Sequence, residues 1–438
     1  MNSNEIVKGD KKVINAWAFY DWANSVYPLV ITTAIFPIFY ESTAYHTIEY
    51  VNGEEVKYLE IFGYKVVNTA AISFVSSISF LLVSFMVPFL SGIADYMGNK
   101  KRFLQFFCYL GAVSCAGLYF FSPDHIFISL FIFMLASIGY WGSLVYYNAY
   151  LPEIAHEKDH DRISAKGFSL GYFGSSLLLI TCLVLIMTDT MSARYAFILT
   201  GIWWIGFSQI TYRRLPNTRR VKTGEKGIIW KGFKELKGVF KQLRATTRLK
   251  RYLLAFFFYS MGVQTVMLMA VYFGTKEINW PDEDKSKSGL IISVLIIQFV
   301  AIGGAYLMSW ISSKIGNLNA LKIAVLCWVA ICVSALWITE PTHFYIIAGC
   351  VGMVMGGIQA LSRSTYAKFL PETKDTSSFF SFFDVAEKIG IVIGTLSYGI
   401  LEQITGSMRN SIFSLIVFFA LGFVFLLLVP KNEKTIKK

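Results

Sequence analysis

Charged residues are scarce in this 438-residue chain, and the short motifs of common enzyme sites are missing. Only 16% of the residues are charged, against about 25% in soluble domains, whereas 55% are hydrophobic. The sequence contains no Walker loop after a strand, no HExxH motif, no paired-cysteine metal site and no nucleophile elbow. These absences argue against a soluble domain, an ATP-driven transporter and an enzyme, and they predict no cofactor and no metal.

Cysteine is also sparse, and its placement does not indicate a metal site or a disulfide framework. The six cysteines fall inside apolar segments without the paired spacing of metal ligands. Buried free cysteine usually behaves as a small packing residue. We therefore expect this packing role for Cys108, Cys115, Cys182, Cys327, Cys332 and Cys350.

Long apolar runs are what the chain has in abundance. Each run is roughly 20 residues long, which is the length that a helix needs to cross a ~30 Å hydrocarbon layer. The pattern predicts an all-α integral membrane protein of about twelve transmembrane helices, with six in residues 1–212, a polar insert at 213–251 and six in residues 252–438. The predicted spans are 15–41, 68–91, 103–121, 125–151, 164–187, 194–212, 252–274, 289–311, 320–339, 343–367, 378–402 and 410–430.

The distribution of positive charge predicts the orientation of the spans. Most of the 40 lysine and arginine residues lie in the connections on the side of the N-terminus, or in the insert. Because positive loops stay in the cytoplasm, both termini are expected there. The short loops fit a bacterial-type inner membrane, and no organellar address is readable. The net charge of +12 then reflects topology, and no nucleic-acid partner is expected. The opposite side carries Lys57, Lys65, Arg194, Lys276, Lys285, Lys287 and Arg409.

Two segments outside the spans show regular patterns. In the first outer loop, 42–67, the pair Asn52-Gly53 between alternating residues predicts a β-hairpin. In the insert, apolar residues recur at helical spacing and basic residues fill the other side, which predicts a helix on an anionic membrane surface. The alternative for the hairpin is an ordered loop without function, and the alternative for the surface helix is a plain linker between the two halves. The apolar residues are Ile229, Phe233, Leu236, Phe240 and Leu243, and the basic ones are Lys231, Lys234, Lys237, Lys241 and Arg244.

The two halves of the chain contain related segments. Residues 147–153 resemble residues 366–372, and residues 97–99 resemble residues 315–317, at nearly the same offset. Two parallel six-helix repeats are the architecture in which a substrate site lies between the halves at mid-membrane. A channel or a membrane enzyme requires no such repeat, so the repeat favours a transporter.

Particular motifs resemble a known family. Residues 92–102 resemble the loop between helices two and three of the major facilitator superfamily. Residues 17–25, 356–364 and 379–388 look like the vacuole-effluxer branch, which includes the autophagy transporter of fungi. The resemblance spans nearly the whole chain and implies a major facilitator fold, with amino-acid efflux in the fungal relatives. It also implies a cytoplasmic gate made of Asp95, Gly98, Lys100, Lys101 and Arg102.

Ionisable residues at membrane depth are costly, so they mark candidate transport residues. Asp21 lies on one helical face with Trp17, Asn24 and Pro28, and this polar stripe predicts a role in coupling or substrate contact. The alternative is a structural hydrogen bond that attaches the first span to a neighbour. The mutant Asp21→Asn distinguishes these roles.

The eleventh span carries three ionisable residues on one sector. Asp384 and Lys388 are four residues apart, and Glu387 lies beside them, which predicts a compact ion cluster. Two acids facing one base leave a carboxylate that can take up a proton, and we prefer Glu387 for this role. The alternative is a permanently ionised network that holds the eleventh span to the tenth.

The tenth span places Arg363 between Gln359 and Tyr366 at helical spacing. The planar guanidinium suits a substrate carboxylate, and the competing hypothesis pairs Arg363 with Asp384 or Asp21 as a gate. Candidate cavity-lining residues are Tyr20, Tyr147, Asn148, Gln359 and Tyr366.

These features together predict a secondary active transporter that moves a small polar solute by alternating access. The best substrate prediction is an amino acid, with protons as the coupling ion and the lipid bilayer as the surroundings. One alternative is a transporter or facilitator of another organic anion. An alternative of another class is a non-transporting receptor or scaffold. We expect a monomer.

Overall fold

The computed structural model describes residues 7–51, 54–61, 63–216 and 227–430, and within them the protein is almost entirely helical. Twelve long helices of this part are numbered α1 to α12, and a linker helix separates the sixth from the seventh. The first six are Lys11–Thr43 (α1), Asn68–Met97 (α2), Lys100–Gly117 (α3), Ile126–Asn148 (α4), His160–Met187 (α5) and Ala193–Arg214 (α6). Next come the linker helix Ile228–Ala245, Thr247–Glu277 (α7), Glu283–Ile315 (α8), Asn317–Ala335 (α9), Pro341–Phe369 (α10), Thr376–Thr405 (α11) and Met408–Leu427 (α12).

Within the described ranges, ten of these helices are long and apolar enough to cross a membrane. The other two, α6 and α11, contain 22 and 30 residues, so length does not exclude them. Helix α11 carries the three charges of the predicted ion cluster, and α6 is rich in aromatic and polar residues. Both pack against other helices of the bundle, α6 against α1 and α3 and α11 against α2 and α7. The predicted all-α fold of about twelve long helices is therefore confirmed, and ten of the twelve described helices have the length and hydropathy of a membrane span.

Helix α1 changes its winding along its length. It consists of an α-helix at Lys11–Asn24, a π-helix at Tyr27–Ile35 and a second α-helix at Phe36–Thr43. Pro28 stands at the start of the π-helix and has no N–H group to donate. The hydroxyls of residues 32 and 33, both threonine, donate to its carbonyl at 2.7 and 2.8 Å. The pattern of apolar residues does not predict this change, which begins six residues beyond Asp21.

The two six-helix halves meet through α2 against α11 and through α5 against α8 and α10. Within the second half, α8 and α10 approach each other closely. A methyl group on Gly352 or Gly356 of α10 would collide with the α8 backbone at Ile297 or Ala301. Small residues permit such contact in a bilayer, where dispersion packing holds helices together.

A small antiparallel sheet connects α1 to α2, with strands Thr47–Val51 (β1), Glu54–Ile61 (β2) and Tyr64–Val67 (β3). The β1–β2 pairing confirms the predicted hairpin, while its turn, Asn52-Gly53, lies outside the described residues. The end of the bundle with this sheet is called the sheet face. The opposite end, with the α2–α3, α4–α5, α8–α9 and α10–α11 connections, is called the basic face.

Candidate functional site

A buried ion pair at the centre of the bundle joins the two halves. Asp21 of α1 accepts through Oδ2 from Nη1 of Arg363 in α10, at 3.1 Å, and from the hydroxyl of Tyr147 in α4, at 2.8 Å. The side chains of the pair are only 6% and 4% exposed. Asp21 lies ten residues, or roughly 15 Å, from the start of the 33-residue helix α1. Of the predicted partners of Arg363, the structure brings it to Asp21 and not to Asp384.

The guanidinium of Arg363 makes further contacts with the protein. Nε donates to the hydroxyl of Ser164 and Nη2 donates to the carbonyl of the same residue, both at 2.9 Å. The ring centres of Trp17 and Phe168 lie 4.8 and 4.2 Å from the guanidinium carbon. A substrate carboxylate would have to displace one of these partners in this conformation. The predicted role of Arg363 in substrate binding stays a prediction.

Helix α5 leaves room for the ion pair because it has small residues at the contact. A Cβ on Gly167 would collide with the Asp21 carboxylate and would lie 2.9 Å from Nη2 of Arg363. The hydroxyl of Tyr147 would be 3.2 Å from the same Cβ. Sequence reasoning missed Gly167 and Ser164, because small residues in an apolar segment carry no distinctive pattern.

A second charged cluster lies on α11. Nζ of Lys388 donates to Oδ1 of Asp384 and to Oε2 of Glu387, both at 2.8 Å. The other oxygen of Glu387 accepts from Nε2 of Gln264 in α7, also at 2.8 Å. The ammonium of Lys388 lies 3.7 Å from the ring centre of Trp141, which belongs to α4 of the opposite half. The predicted trio thus forms, and its lysine contacts the opposite half.

The two carboxylates of this cluster differ in their hydrogen bonding. Both oxygens of Glu387 have partners, whereas Oδ2 of Asp384 is buried without a hydrogen-bond partner in the described part of the chain. Asp384 is 5% exposed, and the side chain of Glu387 is 18% exposed. A buried carboxylate oxygen without a donor is a poor position for negative charge and a ready acceptor for a proton. The proton-accepting role of Glu387 stays a prediction, and this geometry makes Asp384 a second candidate.

At the basic face, the start of α11 is bound to the end of α2 and, through Lys100, to the start of α3. Oδ2 of Asp95 accepts from the backbone N–H of Ser378 at 2.7 Å, and Oδ1 accepts from that of Ser377 at 3.2 Å. The free N–H groups and the dipole of a helix N-terminus favour an anion at this position. Lys100 forms an ion pair with Glu153 and donates to the hydroxyl of Thr376 at 2.8 Å. Two predicted gate residues, Asp95 and Lys100, therefore connect the halves.

A second network at the basic face involves residues that the sequence analysis did not select. Oδ2 of Asp161, at the start of α5, accepts from Nζ of Lys368 at 2.7 Å and from the hydroxyl of Ser312 at 2.8 Å. Oδ1 accepts from Nδ2 of Asn317 at 2.7 Å. We missed this network because Lys368 was considered only as a loop charge that sets topology. It connects α5 of the first half to α8, α9 and α10 of the second.

The remaining predicted gate residues have other positions. Gly98 ends α2 with a φ of 64°, a left-handed conformation that glycine adopts without strain. Lys101 donates through Nζ to the carbonyl of Leu215 at 2.9 Å, which is a contact within the first half. Arg102 is exposed. The gating role of these residues stays a prediction.

Several predicted cavity residues are buried in this conformation. Tyr20 and Tyr366 are fully buried, and the hydroxyl of Tyr366 donates to the α11 backbone at 2.6 Å. Oε1 of Gln359 accepts from the hydroxyl of Tyr172 in α5 at 2.7 Å. Arg363 is therefore not held between Gln359 and Tyr366, because both side chains bind other groups. By contrast, the half-buried Asn148 accepts through Oδ1 from Nη1 of Arg363 at 3.4 Å. Asn24 of the predicted set is buried.

The cysteines and other metal-binding residue types are dispersed. Across the described ranges, no group of three or more His, Cys, Asp or Glu side chains is arranged to hold a metal ion. Four cysteines are buried, as expected for packing residues, but two are exposed on the helices. The exposed ones are Cys327 and Cys350.

Comparison with known proteins identifies the family. The sequence matches the family described as "Vacuole effluxer Atg22 like" over residues 9–438. The chain belongs to this Atg22-like family. "Uncharacterized MFS-type transporter YxiO" of Bacillus subtilis (strain 168) is 32% identical to this Atg22-like protein over 98% of this chain and 97% of its own length. "Autophagy-related protein 22" of Saccharomyces cerevisiae is 24% identical over 78% of this chain and 74% of its own.

Solved structures share the fold of this Atg22-like protein. The major facilitator transporter FucP in the outward conformation has a TM-score of 0.67 at 14% identity, covering 97% of this chain and 99% of its own. The human organic anion transporter MFSD10 has a TM-score of 0.69 at 12% identity, covering 96% and 100%. At these identities the similarity shows the fold alone, which is the predicted major facilitator fold. With the family match, it identifies this Atg22-like protein as a multi-pass membrane transporter of the MFS type.

Proposed function

We propose that this Atg22-like protein is a secondary active transporter that moves an amino acid through a site between its halves, coupled to protons. The observation that carries the proposal is the α11 cluster, in which Lys388 lies between two carboxylates and against Trp141 of the opposite half. Lys388 lies roughly 18 Å along α11, and transporters of this architecture bind substrate near mid-membrane.

The contacts between the halves support alternating access. Hydrogen bonds that join the halves involve Asp95, Lys100 and Asp161 at the basic face and Asp21 near mid-membrane. We take the basic face as cytoplasmic because positive charge is concentrated there. The described conformation is then closed towards the cytoplasm, and these bonds must break together when the halves rock apart. In this proposal Asp21 and Arg363 form the innermost part of the gate.

The charge pattern of the α11 cluster matches a zwitterion. Lys388 offers an ammonium to a substrate carboxylate, and Glu387 offers a carboxylate to a substrate ammonium. Trp141 presents an aromatic face that also favours a cation. In the described conformation Lys388 and Glu387 form an ion pair with each other. A bound amino acid replaces this pair with two others, its carboxylate against Lys388 and its ammonium against Glu387. The desolvation cost of binding is correspondingly small.

Asp384 is the proposed proton acceptor. Its Oδ2 lacks a hydrogen-bond partner among the residues described, and its Oδ1 accepts from Lys388. Protonation removes one of the two negative charges that hold Lys388, so the ammonium becomes freer to bind a substrate carboxylate. Proton binding and substrate binding then favour each other, which is the requirement for coupling.

Flux in proteoliposomes with an imposed pH gradient tests this proposal. The panel contains labelled amino acids, together with analogues that keep only the carboxylate or only the amine. Asp384→Asn is compared with wild type and with Glu402→Gln, a control on the same helix that removes a carboxylate paired with Lys276 at 2.9 Å. We expect gradient-driven amino-acid flux in wild type and in the control, and loss of gradient dependence in Asp384→Asn.

The other outcomes separate the alternatives. Flux of carboxylates without an amine, and not of amino acids, would support an organic anion transporter. Flux that ignores the pH gradient in wild type would overturn the coupling. No flux of any panel member by folded protein would contradict the substrate proposal.

A further inference from the structure

The linker helix contacts both halves of the bundle at the basic face. The carbonyl of Gly232 lies where a Cβ of Gly92 in α2 would be, so the two backbones are in direct contact. Further along the linker helix, the ring centre of Phe240 lies 5.7 Å from that of Phe382 in α11. Helices α2 and α11 are one of the pairs that meet across the halves. The linker helix therefore holds together two spans that must separate when the basic face opens.

The linker helix has a protein-facing side and an outer side of different character. Gly232, Val239 and Leu243 are buried on the protein-facing side. The outer side exposes large apolar residues and basic residues together, and Trp230 is 77% exposed. The exposed apolar residues are Ile229, Trp230, Phe233 and Phe240, and the exposed basic ones are Lys234, Lys237, Lys241 and Arg244.

The outer side is arranged as an interfacial helix requires. At about 100° per residue, Ile229, Phe233 and Phe240 fall within a sector of roughly 40°, and the four exposed basic residues occupy the adjoining sector of roughly 80°. An apolar edge beside a basic edge allows insertion between lipid chains while the ammonium groups reach phosphates. A soluble acidic partner would match the basic edge and leave the apolar edge in water. The bilayer is the occupant that satisfies both edges.

We propose that the linker helix binds anionic lipid headgroups and thereby favours the conformation in which the basic face is closed. Lipid holds the helix in the plane of the membrane surface, where Gly232 contacts α2 and the half-exposed Phe240 contacts α11 at once. Separation of α2 from α11 breaks one of these contacts, so bound lipid and the closed conformation favour each other. This proposal concerns the linker helix and does not depend on which substrate the protein transports.

The test measures the conformation of the full chain in nanodiscs without substrate. Spin labels are placed at Arg213→Cys, at the end of α6, and Lys314→Cys, at the end of α8, both exposed positions near the basic face. Cys327 and Cys350 are replaced by serine because they are exposed. Nanodiscs of phosphatidylcholine are compared with nanodiscs containing about one third phosphatidylglycerol. We expect anionic lipid to raise the ratio of short to long distances about tenfold, since each basic residue near the surface adds attraction.

Neutralisation of the outer basic edge separates a specific site from a general charge effect. The variant with Lys234, Lys237, Lys241 and Arg244 changed to glutamine should lose the dependence on anionic lipid. A control variant with Lys250→Gln and Lys322→Gln, outside the linker helix, should keep it. An unchanged lipid response in the linker variant, or no response in wild type, would overturn the proposal.

Two further measurements identify the ligand. Inorganic phosphate added to phosphatidylcholine nanodiscs should leave the distances unchanged, and a shift like that from phosphatidylglycerol would show a free anion site instead. Brominated phosphatidylglycerol should quench the fluorescence of wild type more than that of Trp230→Phe, because Trp230 is expected to touch the lipid. Equal quenching would contradict the membrane contact.

Discussion

Replacing Asp21 with asparagine removes the negative charge that Arg363 faces across the interface between the halves. The substitution keeps the size of the side chain and retains a carbonyl that accepts from Tyr147. Because the ion pair connects α1 to α10, it belongs to the conformation with a closed basic face. We expect Asp21→Asn to shift the protein towards the conformation in which this face is open.

The magnitude follows from the burial of the pair. A hydrogen bond to a charged group contributes about 1.5–3 kcal/mol, and removal of one member of a buried pair costs about 3–5 kcal/mol because the other charge is left alone. Arg363 keeps its hydrogen bonds to Ser164 in the mutant, so the expected cost lies near the value for one hydrogen bond to a charged group and below that for an isolated buried charge. A change of about 2–3 kcal/mol alters the ratio of closed to open protein by roughly 30- to 150-fold.

The assay uses the spin labels at positions 213 and 314 and measures the populations of short and long distances. Asp159→Asn is the matched control, because Asp159 binds Arg162 at 3.1 Å within the first half, where the arginine side chain is 76% exposed. Exposed pairs contribute about 0–1 kcal/mol, so the control should change the ratio less than about fivefold.

An unchanged ratio in folded Asp21→Asn protein would refute the reasoning, because the pair would then contribute equally to both conformations. A double-mutant cycle gives a second test. Asp21→Asn combined with Arg363→Gln should shift the ratio by less than the sum of the single effects, since both remove the same interaction. Additive effects would mean that the two side chains act separately.

Three further changes have expected outcomes. Gly167→Ala should lower the stability of purified protein by about 1–3 kcal/mol in thermal unfolding, because its methyl group collides with a carboxylate, whereas Gly206→Ala, with open space around it, should be neutral. Lys368→Met leaves Asp161 buried without its cation and should raise the open population in the spin-label assay; no shift would exclude this pair from the gate. Trp141→Ala removes the aromatic face beside the α11 ammonium and should raise the KM for flux roughly 3- to 30-fold, whereas an unchanged KM would remove Trp141 from the site.

Much of the fold was predictable because the bilayer imposes simple requirements on sequence. Backbone polar groups must be satisfied within each span, so apolar runs of about 20 residues indicate helices. The trio of Asp384, Glu387 and Lys388 was predictable for a related reason, because spacings of three and four residues place side chains on one sector of any helix. The amphipathic insert followed the same rule, and its helix is confirmed at Ile228–Ala245, while its placement on a membrane surface stays a prediction.

Other features were not predictable, because their geometry depends on neighbouring helices. The π-helix in α1 depends on how the backbone around Pro28 is accommodated, and a span pattern does not contain this information. The spacing of Gln359, Arg363 and Tyr366 predicted a shared face, but Gln359 binds Tyr172 of α5 and Tyr366 binds the α11 backbone. Helical periodicity gives the direction of a side chain but not the partner that meets it.

The sequence by itself determined that this protein crosses a membrane with about twelve helices, that it contains two related halves and that it resembles the vacuole-effluxer branch. Only the tertiary structure decided that Arg363 binds Asp21, 342 residues away, and that Lys368 binds Asp161, 207 residues away. It also decided that Lys388 meets Trp141 and that one oxygen of Asp384 lacks a partner among the described residues. The physical reason is that hydrophobicity and helical period act over a few turns, whereas a buried charge is satisfied by whichever helix packs against it.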